Sequence, residues 1–453
     1  MGSEMCIRDR YDIRCPSCGG ELSPVRMFNL MFVTSIGAAR ENRAYARPET
    51  AQGMFVSFNR VVRTMHPKLP FAIVQVGKAY RNEISPRQGL LRVREFDQME
   101  AEIFVHPEEI NNHPRYYLRE NRKLRLYPAN YQREGKDEIL EITAGEAVRR
   151  GIIHNQFLAY YLHVATEFLR KLGIPDEAIR CRQQLEDERA HYSRDTWDVE
   201  VLTSYGWVEV AGHAYRTDYD LKSHMRISGR DLRYFVSYDK PQVKKIKKAV
   251  PDKKKIGQEF RERARDIMKM IEEKQQDILS GSDVRVDIDG KEIDLSEYVT
   301  VKEVEERVSG ERIVPHVVEP SYGVGRILWC VLEHAYREED DRVYLSLPPW
   351  LSPIDCAVLP LVSKDGMPER AMEIADMLKK RGLYVVYDES GSVGRRYARY
   401  DEIGVSFAVT VDSQTLSDNT VTVRERDSRK QVRVKIDELA DKLRKLLSGE
   451  EDV

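Results

Sequence analysis

The sequence predicts an α+β chain in two parts. Three observations carry this reading: two pairs of neighbouring strand-like segments lie before residue 348, helical periodicity lies between them, and the pattern changes at Pro348-Pro349 to alternating strands and helices. The 453 residues are enough for about three domains at roughly 150 residues each.

Residues 1–10, MGSEMCIRDR, carry neither periodicity nor turn logic and read as a non-native leader. From Tyr11 the chain reads as starting mid-domain, as though a natural N-terminus were missing. Residues 11–60 are loop-rich up to the polar string Arg47-Pro48-Glu49-Thr50-Ala51-Gln52-Gly53. Met54, Phe55, Val56 and Phe58 then fit a short helix entering a core. FAIVQVGKAY (71–80) reads as a strand, and Pro86 and Gly89 break the loop after it. RVREFDQMEAEIF (92–104) reads as a second strand, antiparallel to the first, with one polar face. Residues 110–150 are polar and poorly patterned, an expected insertion. Phe157, Tyr161, Val164, Phe168, Leu169 and Leu172 space a helix over 152–172.

Segments 199–203 and 207–211 make the second strand pair. Residues 243–280 read as a charge-dense helical tract and 281–312 as a small β region, so 236–312 is a second expected insertion. Apolar character returns over 313–335, with Gly323 and Gly325 before a helix from Ile327. Past the proline pair, strands at 354–362, 383–387 and 405–411 alternate with helices at 368–381 and 391–403. This order predicts a mostly parallel α/β domain, completed by strands at 420–426 and 431–436 and a helix at 437–447. The domains expected are therefore 11–348, with its insertions, and 349–453.

Charge narrows the function classes. Lys+Arg total 73 and Asp+Glu 75, a net charge of −2, which argues against coating nucleic acid by bulk charge while leaving local basic patches open. No apolar run approaches the roughly 20 residues of a membrane span, and no signal peptide opens the chain, so no membrane partner is expected. Six cysteines are too few for a disulfide scaffold, which makes a reducing cytoplasm the expected compartment.

Two constellations carry chemistry. Arg81-Asn82-Glu83 closes one strand, and Arg92-Val93-Arg94-Glu95-Phe96 opens the next. Planar guanidinium forks on paired strands can hold a triphosphate, and Glu83 can receive the amino group of a base. The plainer reading is an exposed, salt-bridged hairpin. Gly323-Val324-Gly325-Arg326 runs into an apolar helix. Leu328 stands where a dinucleotide fingerprint needs its third glycine, so that fold is disfavoured. Glycines here let backbone approach a ligand closely, or simply make a tight strand-to-helix turn.

Together the two constellations match motifs 2 and 3 of the class II aminoacyl-tRNA synthetases. RPETAQG (47–53), AYRNEISPRQGLLRVREFDQMEAEIF (79–104), GWVEVAG (206–212) and EPSYGVGR (319–326) closely resemble the glycyl-tRNA synthetases of the archaeal and eukaryotic dimeric type. DESGSVGRRYARYDEIGVSFAVTVD (388–412) resembles that family's anticodon-binding domain. The resemblance implies a class II antiparallel-sheet catalytic domain over 11–348 and an α/β anticodon-binding domain over 349–453. That family's motif 1, which forms much of its dimer interface, has no counterpart here.

The implied reaction joins glycine to ATP and then to tRNA(Gly). The attacking carboxylate is already ionised, so the site needs phosphate-binding arginines and Mg²⁺ rather than a general base. By resemblance, Arg81 and Arg326 are the catalytic cations, on the α-phosphate and γ-phosphate. Arg81, Asn82, Glu83, Leu91, Arg92, Val93, Arg94, Glu95, Phe96, Glu209, Val210, Gly323, Gly325 and Arg326 form the ATP site, with Phe96 stacked on the base. Glu209 also helps hold Mg²⁺, unless it is a buried salt bridge. Glu49, Glu100, Glu319, Pro320 and Ser321 occupy the glycine-binding positions. A small carboxylate-lined hole captures an ammonium and excludes any side chain. Period 2 sets Glu100 and Glu102 on one strand face, with Glu102 facing solvent in the plainer reading.

Cys15-Pro16-Ser17-Cys18 is half of a zinc knuckle without a second half, so a metal-free loop is favoured over structural Zn²⁺. The lysines between Lys244 and Lys255 are either a solvated face or a tRNA phosphate contact. Arg395, Arg396 and Arg399 are candidates for the anticodon stem. A homodimer is implied for the full-length protein. The alternatives are a noncatalytic nucleic-acid-binding relative and a class II synthetase for another amino acid.

Overall fold

The computed structural model describes residues 14, 19–20, 28–38, 42–84, 86, 88–282, 284–288, 291–339 and 341–453. The leader 1–10, and Cys15 and Cys18 with their zinc expectation, lie outside the described residues. The chain divides into two compact units, Asp231–Val314 and the remainder.

In the larger unit an eight-stranded sheet runs in the order Phe71–Tyr80, Glu95–Val105, His316–Gly323, Gly206–Thr217, Asp195–Thr203, Ile179–Gln183, Lys123–Tyr127, Leu140–Thr143. Every neighbouring pair is antiparallel except Lys123–Tyr127 with Ile179–Gln183. One face carries Trp197, Val199, Val201 and Ala211 into a core completed by Phe157, Leu158, Leu162 and Leu169 from the helix Gln156–Lys171. Ile327, Cys330 and Val331 add the helix Val324–Ala335 to it. Asn155 caps the first of these helices, accepting from the Leu158 N–H at 2.8 Å.

Segment 110–150, expected as an insertion, supplies the far edge of this sheet. Leu124 and Leu126 are fully buried in the same core. The strands there, KLRLY and LEIT, are short and carry charge on their outer face, which hides the period-2 signal. The helix near Met54 is also longer than expected, Ala51–Met65.

Asp231–Val314 is a separate unit with its own core, including Ile256, Ile267, Ile271 and Leu295. The lysine tract is not helical at its start. It lies on the strand Tyr234–Pro251, paired antiparallel with Val299–Ile313, where Lys245 faces Glu305 and Lys247 faces Glu303. Cross-strand charge pairs of this kind stabilise an extended ribbon, whereas the spacing of Val243, Ile246 and Ala249 alone suggests a helix. Helix begins at Lys253, where Asp252 caps it by accepting from the N–H groups of Lys254 and Lys255 at 3.1 Å each.

The C-terminal sheet is mixed rather than mostly parallel. Val385–Tyr387, Cys356–Pro360 and Phe407–Val411 are parallel; Thr420–Glu425 and Gln431–Lys435 continue antiparallel. A short unexpected helix, Ser413–Asp418, opens on a capping box between Asp412 and Thr415. Arg426, fully buried, donates to the carbonyls of Gly404 and Leu347 at 2.8 and 2.7 Å, binding this sheet to the segment that leads into it. No helix among the described residues is long and apolar enough to cross a membrane.

Candidate functional site

The sheet's second face forms the floor of a cavity of about 740 Å³. Register builds this floor. Glu100 lies opposite Ser321, Ser321 opposite Gly212, and Gly212 opposite Asp198, so one row crosses four strands. Directly opposed residues point to the same face, which gathers side chains far apart in sequence onto one surface.

At one end of this row the cavity is acidic and buried. Glu100 accepts from the Thr50 N–H at 3.0 Å, from the Thr50 hydroxyl, and from Gln98 Nε2 at 3.0 Å. Gln98 Nε2 also donates to Ser321 Oγ at 2.8 Å. Arg216 Nη1 donates to Glu319 Oε2 at 2.7 Å, while its Nε and Nη2 grip both oxygens of Asp220 at 2.7 and 2.8 Å. The guanidinium carbon lies 3.8 Å from the Tyr192 ring centre and 5.3 Å from that of Phe55. Oxygens of Glu100, Glu102 and Glu319 lie within 4.8 Å of one another. Burial pushes the Glu319 carboxyl up to about 8 against the pull of Arg216, with the Glu100 charge adding to the rise. Glu49 stands at the same end, held by Gln52 Nε2 at 3.0 Å.

Arginines and aromatic rings form the other end. Arg81 Nε donates to the Pro48 carbonyl at 3.2 Å, and its guanidinium lies 5.3 Å from the Phe96 ring centre. Arg92 pairs with Glu83 at 3.2 Å, the salt-bridged hairpin of the plainer reading, but this hairpin lines the cavity. Arg326 is the third residue of its helix, which starts at Val324 rather than Ile327. Its Nε donates to the Leu91 carbonyl at 3.1 Å and its Nη1 to the Glu209 carbonyl at 2.8 Å and carboxylate at 3.3 Å. Glu209 is thus paired but half-exposed, not a buried salt bridge. Gly89, at φ +57, sits where a Cβ would come 2.6 Å from the Trp329 ring, so the loop between the two arginine strands closes tightly on this helix.

Between the ends lies a carboxyl that sequence reasoning missed. Asp198 is buried and accepts from Gln184 Nε2 at 2.8 Å. Burial and the nearby Glu209 charge push it up to about 8. The two flank Gly212: a Cβ there would lie 3.7 Å from a Glu209 oxygen and 4.0 Å from an Asp198 oxygen. Two mutually repelling carboxyls beside an open glycine are the hard oxygen donors a divalent cation takes together with phosphates.

Arg81, Glu83, Leu91, Arg92, Val93, Phe96, Glu209, Val210, Gly323, Gly325, Arg326, Glu49, Glu100, Glu319 and Ser321 all line the cavity. Asn82, Arg94, Glu95 and Pro320 do not. Asn82 ties back to Leu30 and Asn29, Arg94 Nε donates to the Glu83 carbonyl, and Glu95 pairs outside with Lys78. Pro320 alternates with Glu319 and Ser321 along its strand and so faces the other way. Glu102 does not face solvent; it is fully buried. Gln98, Gln184, Tyr192, Thr196, Tyr205 and Trp207 also line the site, and only their place on strands or loops facing it could have marked them. Arg396 is not free for a partner: it is buried and donates to the Pro360 carbonyl at 2.6 Å, while Arg399 pairs with Asp388.

Residues 33–144 match the family model of the tRNA synthetase class II core domain (G, H, P, S and T), and residues 355–446 match that of the anticodon binding domain. The chain is 51% identical over 447 residues to the glycine–tRNA ligase of Thermococcus gammatolerans, covering 97% of this chain and 78% of that protein. It is 49% identical over 452 residues to the glycine–tRNA ligase of Methanocaldococcus jannaschii, and 49% identical over 447 to that of Pyrococcus horikoshii, with the same coverage of each.

Proposed function

The chain belongs to the glycine–tRNA ligase family of the class II synthetases, and on that premise we propose how its cavity performs the reaction. It is an ATP-dependent ligase that activates glycine as the adenylate and transfers it to tRNA. The observation that supports the residue assignments is the cross-sheet row. Glu100 and Ser321 stand at its end with Glu319 beside them, and Arg81 and Arg326 line the same cavity.

Glycine enters with its ammonium toward Glu49, Glu100 and Glu319. The Thr50 and Gln98 hydrogen bonds hold Glu100 in place, so a larger amino acid meets carboxylate oxygens that cannot retreat. Its carboxylate attacks the α-phosphorus of ATP and pyrophosphate leaves. Arg81 neutralises charge growing on the α-phosphate oxygens, and Arg326 holds the γ-phosphate. Both are parked on backbone carbonyls in the free protein, acceptors that a phosphate outcompetes by its charge. Phe96 offers its ring to the base and Glu83 its carboxylate to the amino group. Glu209, with Asp198 beside it, is the pair suited to Mg²⁺, which when bound neutralises the leaving pyrophosphate.

The transfer step needs tRNA(Gly), and the domain after the proline pair is assigned to its anticodon end, with exposed Arg395 among its contacts. A homodimer fits the outermost strand of the sheet, where Val74 and Val76 are each 66% exposed on one face. Light scattering reads that state directly. This reaction belongs to the cytoplasm, where translation runs.

Glycine-dependent ATP–pyrophosphate exchange tests the reading, with alanine and serine as controls. Exchange with glycine alone is the expected result. Exchange driven by another amino acid, or none in a folded sample, overturns it.

A further inference from the structure

Glu102 is fully buried, and neither of its oxygens has a hydrogen-bond partner among the described residues. It does not line the cavity. Counting along the register from Ser321 opposite Glu100 and Val318 opposite Ile103 sets Glu319 opposite Glu102, on the face that both share with Glu100.

The charges around it do not balance. Four carboxyl groups, on Glu100, Glu102, Glu319 and Asp220, surround one guanidinium, that of Arg216. Arg216 is already committed to Asp220 and Glu319. Further out, Glu49 lines the cavity and His224, from the helix that carries Asp220, lies against the Phe55 ring and bonds Gln52; the surfaces next to Glu102 are apolar. The helix Ala51–Met65 presents Ala51, Met54, Phe55 and Phe58, and the edge strand places Ile73 opposite Glu102. Even with a substrate ammonium added, four ionised carboxylates would leave an uncompensated double negative charge in a dry space, so at least one must hold a proton. Glu100 accepts three hydrogen bonds, and Glu319 accepts one from Arg216, whose charge pulls against the burial that raises this carboxyl. Glu102 accepts none, and its ionised form is the least supported of the set.

We propose that Glu102 is a positioning residue for glycine selection: a neutral carboxylic acid whose O–H, directed at Glu100 and Glu319 through one water, fixes the oxygens that receive the ammonium. The separation of at most 4.8 Å is within that reach. Burial beside Glu319 raises this carboxyl well above its ordinary range, in agreement with the geometry. The inference rests on the assignment of Glu100 and Glu319 to the ammonium.

The test measures KM for glycine, KM for ATP and kcat in pyrophosphate exchange for the whole chain and three variants. Glu102→Gln keeps an N–H donor without charge and is expected to stay within about twofold of the parent. Glu102→Leu keeps the volume without a donor and is expected to raise the glycine KM about tenfold or more, leaving ATP KM and kcat within about twofold. Glu100→Gln is the control for the underlying assignment. If it leaves the glycine KM unchanged, that assignment fails rather than this one. If Glu100→Gln raises the KM and Glu102→Gln raises it equally, Glu102 acts as an anion and the proposal is overturned. A parental KM in Glu102→Leu overturns it too. Should that variant not fold, infrared difference spectra of parent against Glu102→Gln decide. A neutral-carboxyl C=O band at neutral pH is expected, and its absence refutes the idea.

Discussion

At the proposed ammonium end of the cavity the charged groups are buried and bonded to one another, whereas at the proposed phosphate end the guanidiniums are exposed and bonded to backbone carbonyls and to the carboxylates of Glu83 and Glu209. Arg216 is 1% exposed, with each of its three guanidinium nitrogens bonded to Asp220 or Glu319. The Arg92 side chain is 60% exposed and that of Arg326 37%. The contrast follows the ligands. Glycine offers only an ammonium and a carboxylate, so its recognition needs a rigid hole formed in advance. A triphosphate brings its own charge and can recruit mobile arginines. The first design places its cost in the fold; the second places it in the binding step.

Removing a charge tests this difference most directly. Arg216→Met leaves Asp220 and Glu319 buried without a counter-charge and is expected to lower stability by about 3–5 kcal/mol in denaturant melts. A loss below about 1 kcal/mol would mean water reaches these carboxylates. Arg81→Ala should do the reverse. It lowers glycine-dependent exchange by about 10²–10³, the effect of deleting one donor to developing charge, with melting unchanged. Near-parental exchange would remove Arg81 from the chemistry.

Acidity sharpens the comparison. Glu102 has a carboxyl raised in the folded state, so its stabilising contribution is whole below the unfolded value and is lost as pH rises toward the folded one. Gln at 102 does not titrate. The melting temperature of Glu102→Gln relative to the parent should therefore climb from about pH 5 to about pH 8. A flat difference would show that Glu102 is not protonated in the fold. Smallest in effect is added salt. Screening reaches the exposed arginines and not the buried pairs, so ATP KM should rise about severalfold between low and physiological ionic strength while glycine KM barely moves. Equal sensitivity of the two would erase the distinction.

The phosphate end was the more legible in sequence. Arg81, Glu83, Arg92, Phe96 and Arg326 sit in dense motifs, and all of them line the cavity. Contiguity also misled: Asn82, Arg94, Glu95 and Pro320 belong to the same motifs and point elsewhere, because successive residues of extended chain alternate faces. Asp198 lies in a strand whose outward residues Thr196, Asp198 and Glu200 are all buried, so burial there cannot be read from polarity. Glu102 was assigned the right face, yet its exposure depended on the helix Ala51–Met65 covering that part of the sheet. The lysine strand was misread because its partner, with Glu303 and Glu305, lies more than fifty residues downstream.

Local chemistry thus marked the side chains proposed to meet the nucleotide, since guanidinium density, paired glycines and turn residues are properties of neighbouring positions. Which carboxyls share a buried space was decided by strand register and by the helices laid over it. Desolvation and mutual repulsion depend on distances across the sheet, and no spacing along the chain encodes those.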